Sequence, residues 1–167
     1  MNFTLKKPDK PAKAAITAPT DRTIRFERIF NAPRAKVWRA LTEPGLLVQW
    51  WGRGGKYAMT IEQLDLKRGG HWRFVLATPG GPQGFEGRFR EVKAPERLVQ
   101  TLEWDGMPGH VGIETITLED LGDGRTRYLC TSLFHTTEER DGAMQGGMEE
   151  GTHESFEGLD RVLEALA

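Results

Sequence analysis

An α+β fold, in which a curved antiparallel sheet wraps one long C-terminal helix, follows from three features of the chain. Short segments rich in β-branched and aromatic residues fill its middle. The breaks between them are too short for the crossovers that parallel strands require. One long amphipathic stretch then closes the sequence. At 167 residues the chain has the usual length of one domain and can bury a substantial core.

Residues 1–20 hold Lys6, Lys7, Lys10 and Lys13 among Pro8, Pro11 and Pro19, with little apolar periodicity, and are expected to form a flexible leader to a domain spanning 21–167. Thr23 to Phe30 alternates, with Ile24, Phe26 and Phe30 on one side, as in a half-buried strand. Pro33 then suits a first helical turn, and Val37, Trp38 and Leu41 follow at helical spacing over about 33–41. Leu46, Leu47, Trp50 and Trp51 share the face of a second short helix that Gly52, Gly54 and Gly55 end. Six strands are expected near 59–66, 70–78, 84–92, 97–104, 111–120 and 125–134, giving seven in all.

Thr136 and Glu139 have the spacing of a capping box, so a short helix starts there and Gly146-Gly147 interrupts it. Beyond that break Met148, Thr152, Ser155, Leu159, Val162 and Leu166 repeat every three or four residues, with Glu150, Glu154, Glu157, Arg161 and Glu164 opposite. Glu157 and Arg161 stand at the spacing of a helical ion pair. A sheet of this size needs its apolar face covered, and the terminal helix is the main element able to cover it.

Hydrophobic residues make up 38% of the chain and charged ones 28%, with 24 acids against 23 Lys and Arg. That balance offers no basic field for nucleic acid. Cys130 has no partner for an internal disulfide, and the N-terminus lacks a signal-like apolar run, which together favour a cytoplasmic protein. No run approaches the roughly 20 apolar residues of a membrane span, so no membrane insertion is expected.

Phe30-Asn31-Ala32-Pro33 with Val37-Trp38, Trp50-Trp51-Gly52, and Asp65 to Phe74 stand in a particular order. Phe85 to Phe89, Pro95 to Val99 with Trp104, and Gly147 to Gly151 ahead of Ser155 continue it. In this order and spacing the chain resembles the SRPBCC superfamily, in the branch of activator-of-heat-shock-protein-ATPase homologues. The resemblance implies the START-like, helix-grip, birch-pollen-allergen-type fold with a cavity between sheet and terminal helix. Members of that superfamily include lipid carriers, hormone receptors, cyclases and co-chaperone domains, so the fold alone does not name an activity. Many members carry Gly-Trp where this chain has Gly151-Thr152, which implies extra room under the helix. Co-chaperone members grip the chaperone with a separate N-terminal domain, for which this chain is expected to have no space.

Chemistry-bearing motifs are sparse. His71, His110, His135 and His153 show no metal-ligand spacing, and no metal or cofactor is expected. No nucleophile elbow or phosphate loop is present, and Cys130, inside a strand, reads as an inert buried thiol. His71 reads as structural or solvated, while His135 stands where a cavity mouth would be. Glu86 and Glu103 alternate out of phase with Phe85 and Trp104, as surface charges do. The Trp50-Trp51 pair is expected to seal its helix against the sheet.

Strand phase directs Trp72, Phe74 and Leu76, then Phe85 and Phe89, then Leu102 and Trp104, then Tyr128, Cys130, Ser132 and Phe134 toward the terminal helix. On that helix Thr152 and Ser155 are small where neighbours are bulky, which implies a close backbone approach or a pocket. The expected function is therefore binding of a small hydrophobic or aromatic molecule by Trp72, Phe74, Phe85, Trp104, Tyr128, Phe134, Met148 and Thr152. A cyclase-like or hydrolytic enzyme would need a buried ionisable group that the sequence pattern does not single out. A chaperone-linked interaction protein would instead use an exposed apolar patch.

Overall fold

The computed structural model describes residues 12–166. Eight antiparallel strands form one sheet in the order β1-β2-β8-β7-β6-β5-β4-β3. The strands are β1 (Ala15–Thr17), β2 (Thr23–Phe30), β3 (Met59–Leu64), β4 (His71–Thr78), β5 (Gly81–Lys93), β6 (Arg97–Trp104), β7 (Val111–Asp120) and β8 (Thr126–Leu133). The helices are α1 (Arg34–Thr42), α2 (Pro44–Trp50), α3 (Thr137–Gln145) and α4 (Met148–Ala165). From β3 onward each strand pairs with the next, a meander, and β2 returns to pair with β8.

The eighth strand corrects the expected seven. Ala15, Ile16 and Thr17 pair with Glu27, Phe26 and Arg25, so part of the expected leader is an edge strand. Nearby, the Ala12 carbonyl accepts from Arg28 Nε at 3.4 Å and the Thr20 carbonyl from Arg140 Nη1 at 2.7 Å. Backbone pairing, rather than an apolar pattern of its own, holds this segment. Lys6, Lys7, Pro8, Lys10 and Pro11 lie outside the described residues.

Alternation sets the inward face. Ile24 and Phe30 on β2, Trp72, Phe74 and Leu76 on β4, Leu98 on β6, Ile116 and Leu118 on β7, and Tyr128 and Cys130 on β8 are all buried. Helix α4 covers them with Phe156, Leu159, Val162 and Leu163, of which Leu159 is 0% exposed. Phe30, Tyr128 and Phe156 meet edge to face at 5.3–6.0 Å between ring centres, tying β2, β8 and α4 together.

A buried arginine shares that face. Arg28 is 5% exposed, donates to both Asp160 oxygens at 2.6 and 2.7 Å and to the Phe156 carbonyl at 3.2 Å, and lies 4.7 Å from the Phe30 ring centre. This fork fixes the rotation of α4 against β2.

Past α2 the backbone takes φ values of 72°, 59°, 70° and 83° at Gly52, Arg53, Gly54 and Gly55. That left-handed run, which glycine tolerates best, brings a tight turn against α4. A Cβ on Gly158 would stand 2.5 Å from the Gly54 Cα, so here two glycines permit direct backbone contact. Ser155 seals the same junction, its Oγ accepting from the Arg53 N–H at 2.9 Å. Arg161 donates to the Gly54 carbonyl at 3.2 Å, and among the described residues it forms no ion pair with Glu157, the pair its spacing had suggested.

Thr136 caps α3 as its spacing predicts, accepting from the Glu139 N–H at 3.1 Å. The Glu139 carboxylate reaches back to the His135 N–H at 3.1 Å. Gly147, with φ 74°, separates α3 from α4.

Candidate functional site

Between the sheet and the first turns of α4 lies a cavity of about 740 Å³. Phe74, Phe85, Trp104 and Tyr128 line it from the sheet and Met148 and Thr152 from α4, so six of the eight expected residues border it. A second lobe of about 700 Å³ extends toward α3 and is lined by Phe134 together with His110, Glu138 and Glu139. Phe26, Phe85, Trp104, Glu114, Met148 and Thr152 border both lobes.

Trp72 differs from expectation: it lines neither lobe. Strand phase sends it inward, but it lies deep, 1% exposed, with its ring centre 4.9 Å from that of Phe74. Gly87 leaves room for it on β5, where a Cβ would come within 2.7 Å of the indole nitrogen. Trp72 thus supports Phe74 from beneath.

The paired tryptophans divide their work. Trp50 is buried and donates from Nε1 to the Ala40 carbonyl at 2.8 Å, joining α2 to α1. Trp51 stands edge-on to Phe74 and Phe85, each at 5.2 Å between ring centres, and forms part of the cavity wall. At the opposite end Trp104 is 39% exposed and donates to Gln83 Oε1 at 2.8 Å. With Met107 and Leu133, also exposed, it makes an apolar rim where the second lobe reaches the surface.

Four polar side chains interrupt the apolar wall in adjacent registers. Gln100 on β6 faces Glu114 on β7, which faces Ser132 on β8, and Cys130 lies opposite Ile116 one step along. Gln100 Nε2 donates to Glu114 Oε2 at 3.0 Å. Among the described residues no Lys, Arg or His forms an ion pair with Glu114. Burial pushes its carboxyl above the ordinary value of 4.5, against the opposing pull of the Gln100 bond. The Tyr128 hydroxyl and Cys130 thiol are likewise pushed up, chiefly by burial, with the Glu114 charge adding to both. Cys130 is therefore held as a thiol, unsuited to nucleophilic attack.

Glu114 is the ionisable group that motif reading passes over. Its signal was phase: Glu114 alternates with Ile116 and Leu118, both buried, and so had to point inward.

The histidines also sort by geometry. His135 does not border the cavity, and its carbonyl accepts from Arg22 at 3.4 Å. His110 does border the second lobe, with Nδ1 against Glu139 Oε1. That contact holds the Glu139 carboxyl below the usual range. His71 lies on the outer face between Gln63 and Glu86, at 2.6 and 2.9 Å. Beside it Arg73 bridges Glu62 and Asp105, and its fork on Asp105 holds that carboxyl low. Among the described residues, no group of three or more His, Cys, Asp or Glu is placed to hold a metal, and no helix is long and apolar enough to cross a membrane.

A meander closed by β2 around one long helix, with the cavity between them, defines a helix-grip protein of the SRPBCC type. The family model for Activator of Hsp90 ATPase homolog 1-like protein matches residues 31–164, and the chain belongs to that family. A crystal structure of a Rhodobacter sphaeroides protein is similar at 29% identity, covering 93% of this chain and 100% of the other, with a TM-score of 0.84. A solution structure from Arthrobacter aurescens shares 26% identity over 92% of each chain, with a TM-score of 0.80. A Chromobacterium violaceum crystal structure also shares 26%, over 88% of this chain and 100% of that one, at 0.75. Among curated proteins the chain finds no match.

Proposed function

We propose that this protein binds a small hydrophobic or aromatic molecule in the cavity between the sheet and α4. The observation that carries the reading is the larger lobe itself, about 740 Å³ of space walled by aromatic side chains beneath Thr152. Pockets of roughly 300–1,000 Å³ with apolar walls and a few convergent polar groups are the usual form of small-molecule sites. Protein interiors are otherwise packed nearly as densely as organic crystals, so a void this size is a feature that function explains better than folding does. A cytoplasmic setting belongs to the same reading, supported by a single cysteine that is buried.

Thr152→Trp tests it. The ring would enter space bordered by both lobes, so binding of naphthylmethanol should fall while the melting temperature holds or rises, because filling a void restores dispersion contacts. Without a real void the same change overpacks the core and costs about 1–3 kcal/mol, and the melting temperature drops. Mass spectrometry of small molecules extracted from the purified protein should find a recurrent apolar compound.

A second reading, a cyclase-like or hydrolytic enzyme, draws support from Glu114, since a carboxyl with a raised pKa in a cleft suits general acid or base work. It ranks below binding because the neighbouring thiol and phenol are both pushed toward their neutral forms.

A further inference from the structure

Glu114 is unusual among the charged groups of the inward face. Arg28, the cation on that face, is saturated by Asp160 and the Phe156 carbonyl. Arg53, which borders the larger lobe, stands 3.7 Å from Glu154. Glu139, at the second lobe, has His110. Of the charged residues Glu114 alone borders both lobes, and among the described residues it receives the Gln100 amide and has no counter-ion.

An unpaired carboxylate in an apolar wall is costly, and the cost is relieved by a cation delivered to it. Phe26, Phe85, Trp104 and Tyr128 border the same space, and aromatic faces attract a desolvated cation. A ligand with only hydrogen-bond acceptors would find donors in the Tyr128 and Ser132 hydroxyls without needing a carboxyl. A ligand carrying an ammonium group needs one.

We infer that Glu114 selects the ligand by charge: the cavity takes a hydrophobic aromatic amine, whose ammonium pairs with the Glu114 carboxylate where the two lobes meet. This rests on the binding reading above and narrows its ligand class.

The pH dependence follows from the carboxyl. Burial raises its pKa, so at acid pH it is neutral and offers an amine no counter-charge, and amine affinity rises as pH climbs through that pKa. The other titratable groups facing the cavity are Tyr128 and Cys130 on β8, and Arg53 and Tyr57 after α2. At the second lobe they are His110 after β6, and Glu138 and Glu139 on α3. His110 and Glu139 also carry ionisable side chains at the second lobe, so Glu139→Gln and His110→Gln serve as controls.

Three probes of one shape decide the matter: naphthylmethylamine, naphthylmethanol and naphthylacetate, titrated by calorimetry from about pH 5 to about pH 8. The expected result at the upper end is that the amine binds at least about tenfold tighter than the alcohol, with the acetate weakest. Glu114→Gln should abolish that preference, bringing amine and alcohol to similar affinities, and the control variants should keep it. In the wild type the amine's affinity should rise with pH while the alcohol's stays flat, a readout that stands even where a variant folds poorly. Equal binding of amine and alcohol, or a preference that survives Glu114→Gln, would overturn charge selection and leave the cavity reading intact. Absence of binding by all three would overturn the cavity reading and this inference together.

Discussion

Glu114 and Arg28 both project from the sheet toward α4, and their surroundings give them opposite consequences. Arg28 is matched by a bidentate carboxylate and a carbonyl, so removing it strands Asp160 and frees the fork that orients the helix. Breaking a buried pair from one side typically costs about 3–5 kcal/mol. Arg28→Ala should lose stability on that scale in urea unfolding, and a change below about 1 kcal/mol would show that the pair is ornamental. Glu114 lacks such a match, and its folded pKa is raised above the ordinary 4.5. Between those two values the native state holds more protons than the unfolded chain, so stability falls as pH rises through the window. Glu114→Gln should therefore melt higher than wild type at neutral pH in the absence of ligand. The difference should vanish below pH 4.5, where both states of the wild type are protonated. A variant that melts lower at neutral pH would contradict the unpaired-carboxylate description.

At the scale of elements, β1 is the addition with the largest mechanical consequence. It covers the outer edge of β2, and the residues around it accept hydrogen bonds from Arg28 and Arg140. Each such bond contributes about 0.5–1.5 kcal/mol net, so a chain beginning at Asp21 should melt several degrees lower and expose a pairing edge. An unchanged melt would return the segment to the status of a leader. The strand was not legible because Ala15, Ile16 and Thr17 are too few to show a period and sit between prolines. By contrast α4 and the capped start of α3 were legible, since Thr136 with Glu139 and the spacing from Met148 to Leu166 are local signals. Phase correctly turned Phe74, Phe85, Tyr128 and Met148 inward but could not tell depth, and so Trp72 was placed in the wall although it lies behind it. The same phase rule, carried onto β7 and along β6 from Leu102, would have exposed Glu114 and its partner Gln100 as inward polar residues. Close approach and void coexist along α4: Gly158 and Ser155 meet the turn after α2, and Thr152, one turn earlier, borders open space.

At the scale of the molecule, one helix cannot fill the trough of an eight-stranded sheet along its whole length. The C-terminal half of α4 packs solidly through Leu159, Val162 and Leu163, while the N-terminal half, from Met148 to Phe156, borders the cavity. On the proposed function, stability and binding fall to different halves of the same helix. A nitrogen-edited NMR titration with naphthylmethanol measures this division directly. Saturable shifts should concentrate at the amides of Phe85, Trp104, Tyr128 and Thr152, with Leu159 and Val162 left nearly still. Shifts confined to the outer face around His71 and Arg73, or none at saturating probe, would contradict an internal binding cavity.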